Sequence, residues 1–158
     1  MHPNLEITSD DSKGSFFHVR ADKEGIGADT TFLSCPNPLS ISYLNAINFP
    51  PFSSDGPTLP DSLVQSLPVH TVTVFFMIQQ YLKREKSFWW PYFNSLPPPE
   101  EGEKLGTPLW FTEEDRKWFR GTNLENGIQG REKEWKHQWK EGVRLLEEAG
   151  WETDGYTW

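Results

Sequence analysis

The chain is poor in cysteine, in basic residues and in long apolar runs, and each shortage removes a class of protein. With Cys35 alone in 158 residues, no internal disulfide framework can be built, which points to a reducing compartment. Neither that cysteine nor the scattered His2, His18, His70 and His137 have metal-ligand spacing, so no metal is expected. Lys and Arg number 15 against 23 Asp and Glu, a formal net charge of −8. That balance disfavours a nucleic-acid binder working by phosphate neutralisation and suits a basic partner better. No apolar run approaches the ~18 residues of a membrane span. The start, MHPNLEITSDDSKG, is polar and acidic where a secretory signal is basic and then apolar. The expectation is a soluble protein of the cytoplasm or nucleus, with no membrane and no nucleic acid among its partners.

Aromatic residues are abundant. They make up 15% of the chain, with 8 Trp and 11 Phe, while hydrophobic residues as a whole reach 35%. A few large side chains must therefore carry much of the burial. The 13 Pro and 12 Gly imply many turns between short elements. The length suits one domain.

The chain is organised around Val69 to Pro97, VHTVTVFFMIQQYLKREKSFWWPYFNSLP. Val74, Met77, Ile78, Tyr81 and Leu82 fall at helical spacing and predict an amphipathic helix that ends near Lys83 to Lys86. Phe88, Trp89, Trp90, Tyr92 and Phe93 follow at once, an aromatic block too costly to leave in water. Phe88, Trp90 and Tyr92 are expected to be packing residues.

Upstream, residues 1–12 show no periodicity and read as an acidic tail. SFFHVRA, Ser15 to Ala21, reads as a strand after the turn signal Ser12-Lys13-Gly14, and Thr31 to Cys35 as a second strand ended by Pro36 and Pro38. Ser40 or Ser42 can cap a short helix through Ile47. Residues 50–68 form a Pro- and Ser-rich connection holding at most a turn or two of helix near Asp61 to Leu67. Downstream, PPPEEGEKLG is a loop. Thr112 caps a short helix with Asp115 at its third position, and a long helix spans roughly Leu124 to Ala149 before Gly150. Trp135, Trp139, Val143 and Leu146 lie on one face of that helix. The class is α+β.

From the residues alone no catalytic constellation emerges. Gly25-Ile26-Gly27 lacks the preceding strand, third glycine and following helix of a dinucleotide fingerprint, and reads as a turn. Glu113, Glu114 and Asp115 occupy a helix first turn, where the dipole alone favours acids. Cys35 has no basic neighbour to activate it and reads as a small buried hydrophobe. His18 reads as a surface or half-buried strand residue. Trp135 and Trp139 read as core before ligand box.

The order of segments resembles the SET-domain protein lysine methyltransferases, in the branch with a helical insertion that includes Rubisco large-subunit methyltransferase and the ribosomal-protein lysine methyltransferases. SFFHVRA, a turn and TFLSCPNPLSISYLNAI are similar to the family's opening; KREKSFWWPYFNSLP to its Ser-Phe-Trp-x-Pro-Tyr, Leu-Pro signature; and Thr107-Pro108-Leu109-Trp110 with Arg120-Gly121-Thr122 to the next portion. The resemblance implies opening SET strands and a short helix over residues 13–49, and the core helix, aromatic block and insertion over 69–158. It also implies S-adenosylmethionine as cofactor and a lysine-bearing protein as substrate. Lys13, Gly14, Ser15 and Phe16 would touch the cofactor, with Arg20 a further candidate; an alternative register puts Gly25 and Gly27 in that loop. The family's Asn-His pair and later catalytic tyrosine have no counterpart here, and no Asn-His dipeptide occurs in the chain. The expectation is thus a truncated, catalytically incomplete portion with no catalytic residue of its own. A non-catalytic interaction module and a functionless remnant are the alternatives.

Overall fold

The computed structural model describes residues 1–10, 14–52, 58–98, 101–102 and 106–158. Its secondary structure is α+β, with one two-stranded antiparallel sheet and, among the described residues, six α-helices. It divides into two compact units, Met1–Ser40 and Ile41–Trp158.

In the first unit, β1 (Leu5–Asp10) pairs with β2 (Gly14–Val19), Leu5 opposite Val19 and Asp10 opposite Gly14. Two expectations fail here. Residues 5–10, read as part of an acidic tail, form the first strand, and Thr31 to Cys35, read as a strand, have no ladder partner among the described residues; the Phe32 carbonyl accepts from the His2 N–H at 2.7 Å. Loop entropy explains the outcome. So few residues separate Asp10 from Gly14 that pairing β1 with β2 costs less closure entropy than pairing across the longer stretch from Asp22 to Thr31 would.

The second unit is built on α3 (Val69–Leu82), which packs against α1 (Tyr43–Ala46), α2 (Asp61–Ser66), α4 (Trp90–Phe93) and α6 (Asn123–Glu148). Its bounds match the sequence reading, but its inward face does not. Thr71, Val72, Phe75, Phe76, Gln79 and Gln80 are buried, whereas Val74 and Leu82 are exposed and Met77, Ile78 and Tyr81 only half-buried. The helix is apolar nearly all round, so spacing alone cannot choose a face. Phe75 and Phe76 choose it, because a phenyl ring buries far more area than Val74 can.

Phe75 fits where α6 has no side chain. A Cβ built on Gly142 would lie 2.1 Å from Phe75 Cζ, so the glycine is there for close approach. Tyr156 stacks on the other side of the ring at 5.9 Å between centroids, and burial pushes its hydroxyl pKa up to about 12. The Trp139 indole N–H donates to the Tyr156 carbonyl at 2.9 Å, which holds the segment after α6 against the core. Gly150, at φ +80°, provides the left-handed turn that ends α6.

Buried polar groups are joined in sequence. The Ser87 hydroxyl donates to Gln80 Oε1 at 3.0 Å and accepts from the Trp89 N–H at 3.2 Å, and Gln80 Nε2 donates to Gln79 Oε1 at 3.2 Å. Thr71 Oγ1 donates to Gln138 Oε1 at 2.6 Å, tying α3 to α6. These bonds place the aromatic block. Trp89 and Phe93 are buried, with Trp89 edge-on to Phe76 at 5.5 Å and Phe93 edge-on to Tyr81 at 6.2 Å. Two of the three expected packing residues are corrected, since Phe88 is 60% exposed and Tyr92 is exposed, while Trp90 is half-buried and packs against the core as expected. Helical phase is the cause, since Ser87 turns Trp89 inward and Phe93 follows four residues later on the same face. Arg84, at φ +53°, lies 4.4 Å from the Tyr81 ring and 5.3 Å from that of Trp90, and closes this end of α3 by cation–π contact.

Gly142→Ala should destabilise the protein by about 1 to 3 kcal/mol in urea unfolding, because overpacking against Phe75 outweighs the gain in helix propensity. An unchanged or higher midpoint would show that Phe75 is not confined. Trp89→Ala should cost about 3 to 5 kcal/mol and Phe88→Ala under about 1 kcal/mol in the same assay; equal losses would contradict the burial assignment.

Candidate functional site

Two places in the chain have the chemistry of a site, and each lies within one compact unit. The first is the β1–β2 hairpin, which carries the residues expected to meet a cofactor. Lys13 lies outside the described residues. Gly14, at φ +67°, opens β2, and a Cβ built there would meet nothing within 4 Å among the described residues. Its backbone bend needs a glycine, and its open side leaves room for close approach. Ser15 faces Ser9 across the ladder with hydroxyl oxygens 2.7 Å apart. Phe16 is half-buried opposite Thr8.

Arg20 is separated from this group. It follows the far end of β2, where its N–H donates to the Asn4 carbonyl at 2.8 Å and its Nε lies 3.7 Å from Glu6 Oε2. At about 3.3 Å per residue it stands roughly 20 Å along the strand from Gly14. Glu6 also faces His18 Nε2 at 3.2 Å, and His18 is half-buried. Gly14, Ser15 and Phe16 thus form one end of the hairpin and Arg20 the other. On the opposite face Ile7, Phe17 and Val19 are all exposed.

Of the other sequence candidates only Asp115 lies at either place. Gly25-Ile26-Gly27 lies in irregular chain that neither a strand runs directly into nor a helix directly leaves. Cys35 is exposed, which corrects its reading as a small buried hydrophobe; the Pro-flanked chain around it forms no strand to cover it. Glu113 and Glu114 open α5 (Glu113–Arg116), where Thr112 Oγ1 accepts from the Asp115 N–H at 3.2 Å and donates to Asp115 Oδ2 at 2.6 Å. Trp135 and Trp139 diverge: Trp135 lies exposed beneath Arg131, while Trp139 is half-buried. Among the described residues no group of three or more His, Cys, Asp or Glu could hold a metal ion, and no helix is long and apolar enough to cross a membrane.

The second place was not singled out by sequence reasoning. Trp110, Phe111, Thr112, Asp115, Trp118 and Phe119 line an open cleft of about 430 Å³. Two one-turn 3-10 helices, Pro108–Trp110 and Lys117–Phe119, bracket α5 and pack on α6. Arg116 fixes their spacing. Its Nη2 donates to the Leu109 carbonyl at 2.8 Å and its Nη1 lies 3.6 Å from Glu132 on α6. Phe111 and Phe119 stack at 5.7 Å, and Trp118 is 84% exposed. The available signal was the repeated Trp-Phe pair at 110–111 and 118–119, eight residues apart around a capped acidic turn.

No family model and no solved structure matches the chain. It is 28% identical over 153 residues to the ribosomal lysine N-methyltransferase set10 of Schizosaccharomyces pombe, an alignment covering 92% of this chain and 25% of that protein. The chain thus spans about a quarter of that relative's length, and the similarity supports a SET-type methyltransferase resemblance.

Gly14→Ala should meet no steric clash and should weaken the hairpin only through its positive φ, by about 1 kcal/mol. Amide hydrogen exchange across β1 and β2 should then run about fivefold faster; unchanged exchange would mean the turn does not require the left-handed conformation.

Proposed function

We propose that this chain forms the opening strands and helical insertion of a SET-type protein lysine methyltransferase, with S-adenosylmethionine as cofactor and a lysine-bearing protein as substrate, a ribosomal protein if the relative's activity carries over. The observation that carries the reading is the 28% identity running through 92% of the chain, joined to a short sheet that includes the SFFHV segment and is followed by a helical body. Cytoplasm or nucleus is the corresponding location.

S-adenosylmethionine, when bound, supplies an electrophilic methyl group on a sulfonium. The protein's task is then to hold a neutral amine in line with it in a dry site, where desolvation favours loss of the lysine proton. Gly14 is suited to the cofactor's close approach because nothing occupies the space beside its Cα. Lys13, Ser15 and Phe16 would share that contact. Arg20 would act at a separate point, given its place at the far end of β2. We assign no catalytic residue to this chain, which contains no Asn-His pair. The hairpin itself supports incompleteness: among the described residues no third strand pairs with either edge, and Ile7, Phe17 and Val19 remain exposed. Two strands alone make a marginal sheet.

The test is calorimetric titration with S-adenosylmethionine together with transfer of labelled methyl to ribosomal proteins. The chain alone should show no turnover. A fusion that continues from Trp158 into the corresponding later strands of the yeast relative should bind the cofactor and methylate lysine. Turnover by the chain alone would overturn the claim of incompleteness, and a folded fusion that neither binds nor methylates would count against the methyltransferase reading.

A further inference from the structure

We infer that the cleft between Trp110 and Trp118 is a recognition site for an alkylammonium group, the side-chain head of a lysine, methylated or not, in a basic polypeptide. Four of its six lining residues are aromatic, and the only charged one, Asp115, is an acid. Ring faces attract a cation through their quadrupole, most strongly for Trp, and a carboxylate at the rim adds charge complementarity. Asp115 Oδ2 is held by the Thr112 hydroxyl, which orients the carboxylate and leaves its second oxygen for a cation.

Part of the cleft is held in place by packing. A Cβ built on Gly102 would lie 2.5 Å from the Trp110 ring, so that indole rests directly on backbone. Phe111 and Phe119 stack at 5.7 Å, and the guanidinium of Arg116 is taken up by the Leu109 carbonyl and Glu132. Elsewhere the chain supplies cations to its own rings: Arg84 to Tyr81 and Trp90, Arg131 to Trp135, Lys136 to Trp158. Among the described residues none is placed over Trp110 or Trp118. A Trp that is 84% exposed at the mouth of an aromatic cleft, in a chain of net charge −8, fits an external cation. The inference stands without the methyltransferase assignment, because its test reads binding alone.

The probe is N-acetyl-trimethyllysine amide, compared with lysine amide and with the uncharged tert-butyl isostere. Binding is followed through the indole N–H signals of the intact chain, with Trp118 assigned by its loss in Trp118→Ala. Saturable shifts confined to the Trp110 and Trp118 signals are expected, with the isostere bound at least about tenfold more weakly. Trp118→Ala, which removes a side chain outside the core, should weaken binding about tenfold; Trp118→Phe should recover most of it, and Asp115→Asn should weaken it about threefold. Equal affinity for the isostere, shifts that do not saturate, or undiminished binding by Trp118→Ala would each overturn the proposal.

Discussion

The helical body depends on the seat of one ring. Phe75 enters α6 where Gly142 leaves no side chain, with a built Cβ only 2.1 Å away, and Tyr156 covers its other side. Close packing of this kind is sensitive to single methyl groups. It brings α3 and α6 close enough for Thr71 to reach Gln138 at 2.6 Å. It also seats the segment after α6, whose Tyr156 carbonyl is held by Trp139. Two helices distant in sequence and a terminal segment thus meet at a single contact.

The other end of α3 is organised by hydrogen bonding. Gln79 and Gln80 are buried on a helix otherwise apolar there, an arrangement tolerated only because their amides are satisfied. The Ser87 hydroxyl, bonded to Gln80 at 3.0 Å and to the Trp89 N–H at 3.2 Å, converts that requirement into a direction for the chain. Trp89 then turns in beside Phe76 while Phe88 turns out. The polar bonds decide which aromatic rings become core, and the rings supply most of the apolar area.

This explains which features were legible in the sequence. The bounds of α3 and α6, the Thr112 cap and the Gly150 stop follow from local rules and were readable. The inward face of α3 was not, because Val74 and Phe75 are both apolar and the decision lies in a glycine 67 residues further on. Phe88 and Tyr92 were misassigned for a similar reason: composition says that an aromatic block must be largely buried, but the phase is set by Ser87. The β1 strand was hidden by its acids, although Leu5 and Ile7 alternate within it. For the candidate cofactor residues, Gly14 was readable as a turn glycine; the separation of Arg20 from it follows from strand rise and appears only once the strand is known to run unbroken. The aromatic cleft escaped because its Trp-Phe pairs look like further core until the turn at Thr112 shows them projecting.

The two exposed apolar regions differ in what their backbones require. Ile7, Phe17 and Val19 lie on a sheet without a third strand among the described residues, so hydrogen-bonding groups and apolar side chains are open together. Such a surface is completed by more sheet, since strand addition satisfies both at once. At the cleft the backbone is already engaged: Trp110 donates to the Thr107 carbonyl at 2.9 Å and Leu109 accepts from Arg116. Only the ring faces and one carboxylate remain to be used. A segment whose backbone is already satisfied loses less conformational entropy when a ligand binds than one whose backbone must be ordered as well. The hairpin therefore has the character of a folding surface and the cleft that of a recognition surface, so a protein in which both are used needs additional sheet at one and a cationic partner at the other.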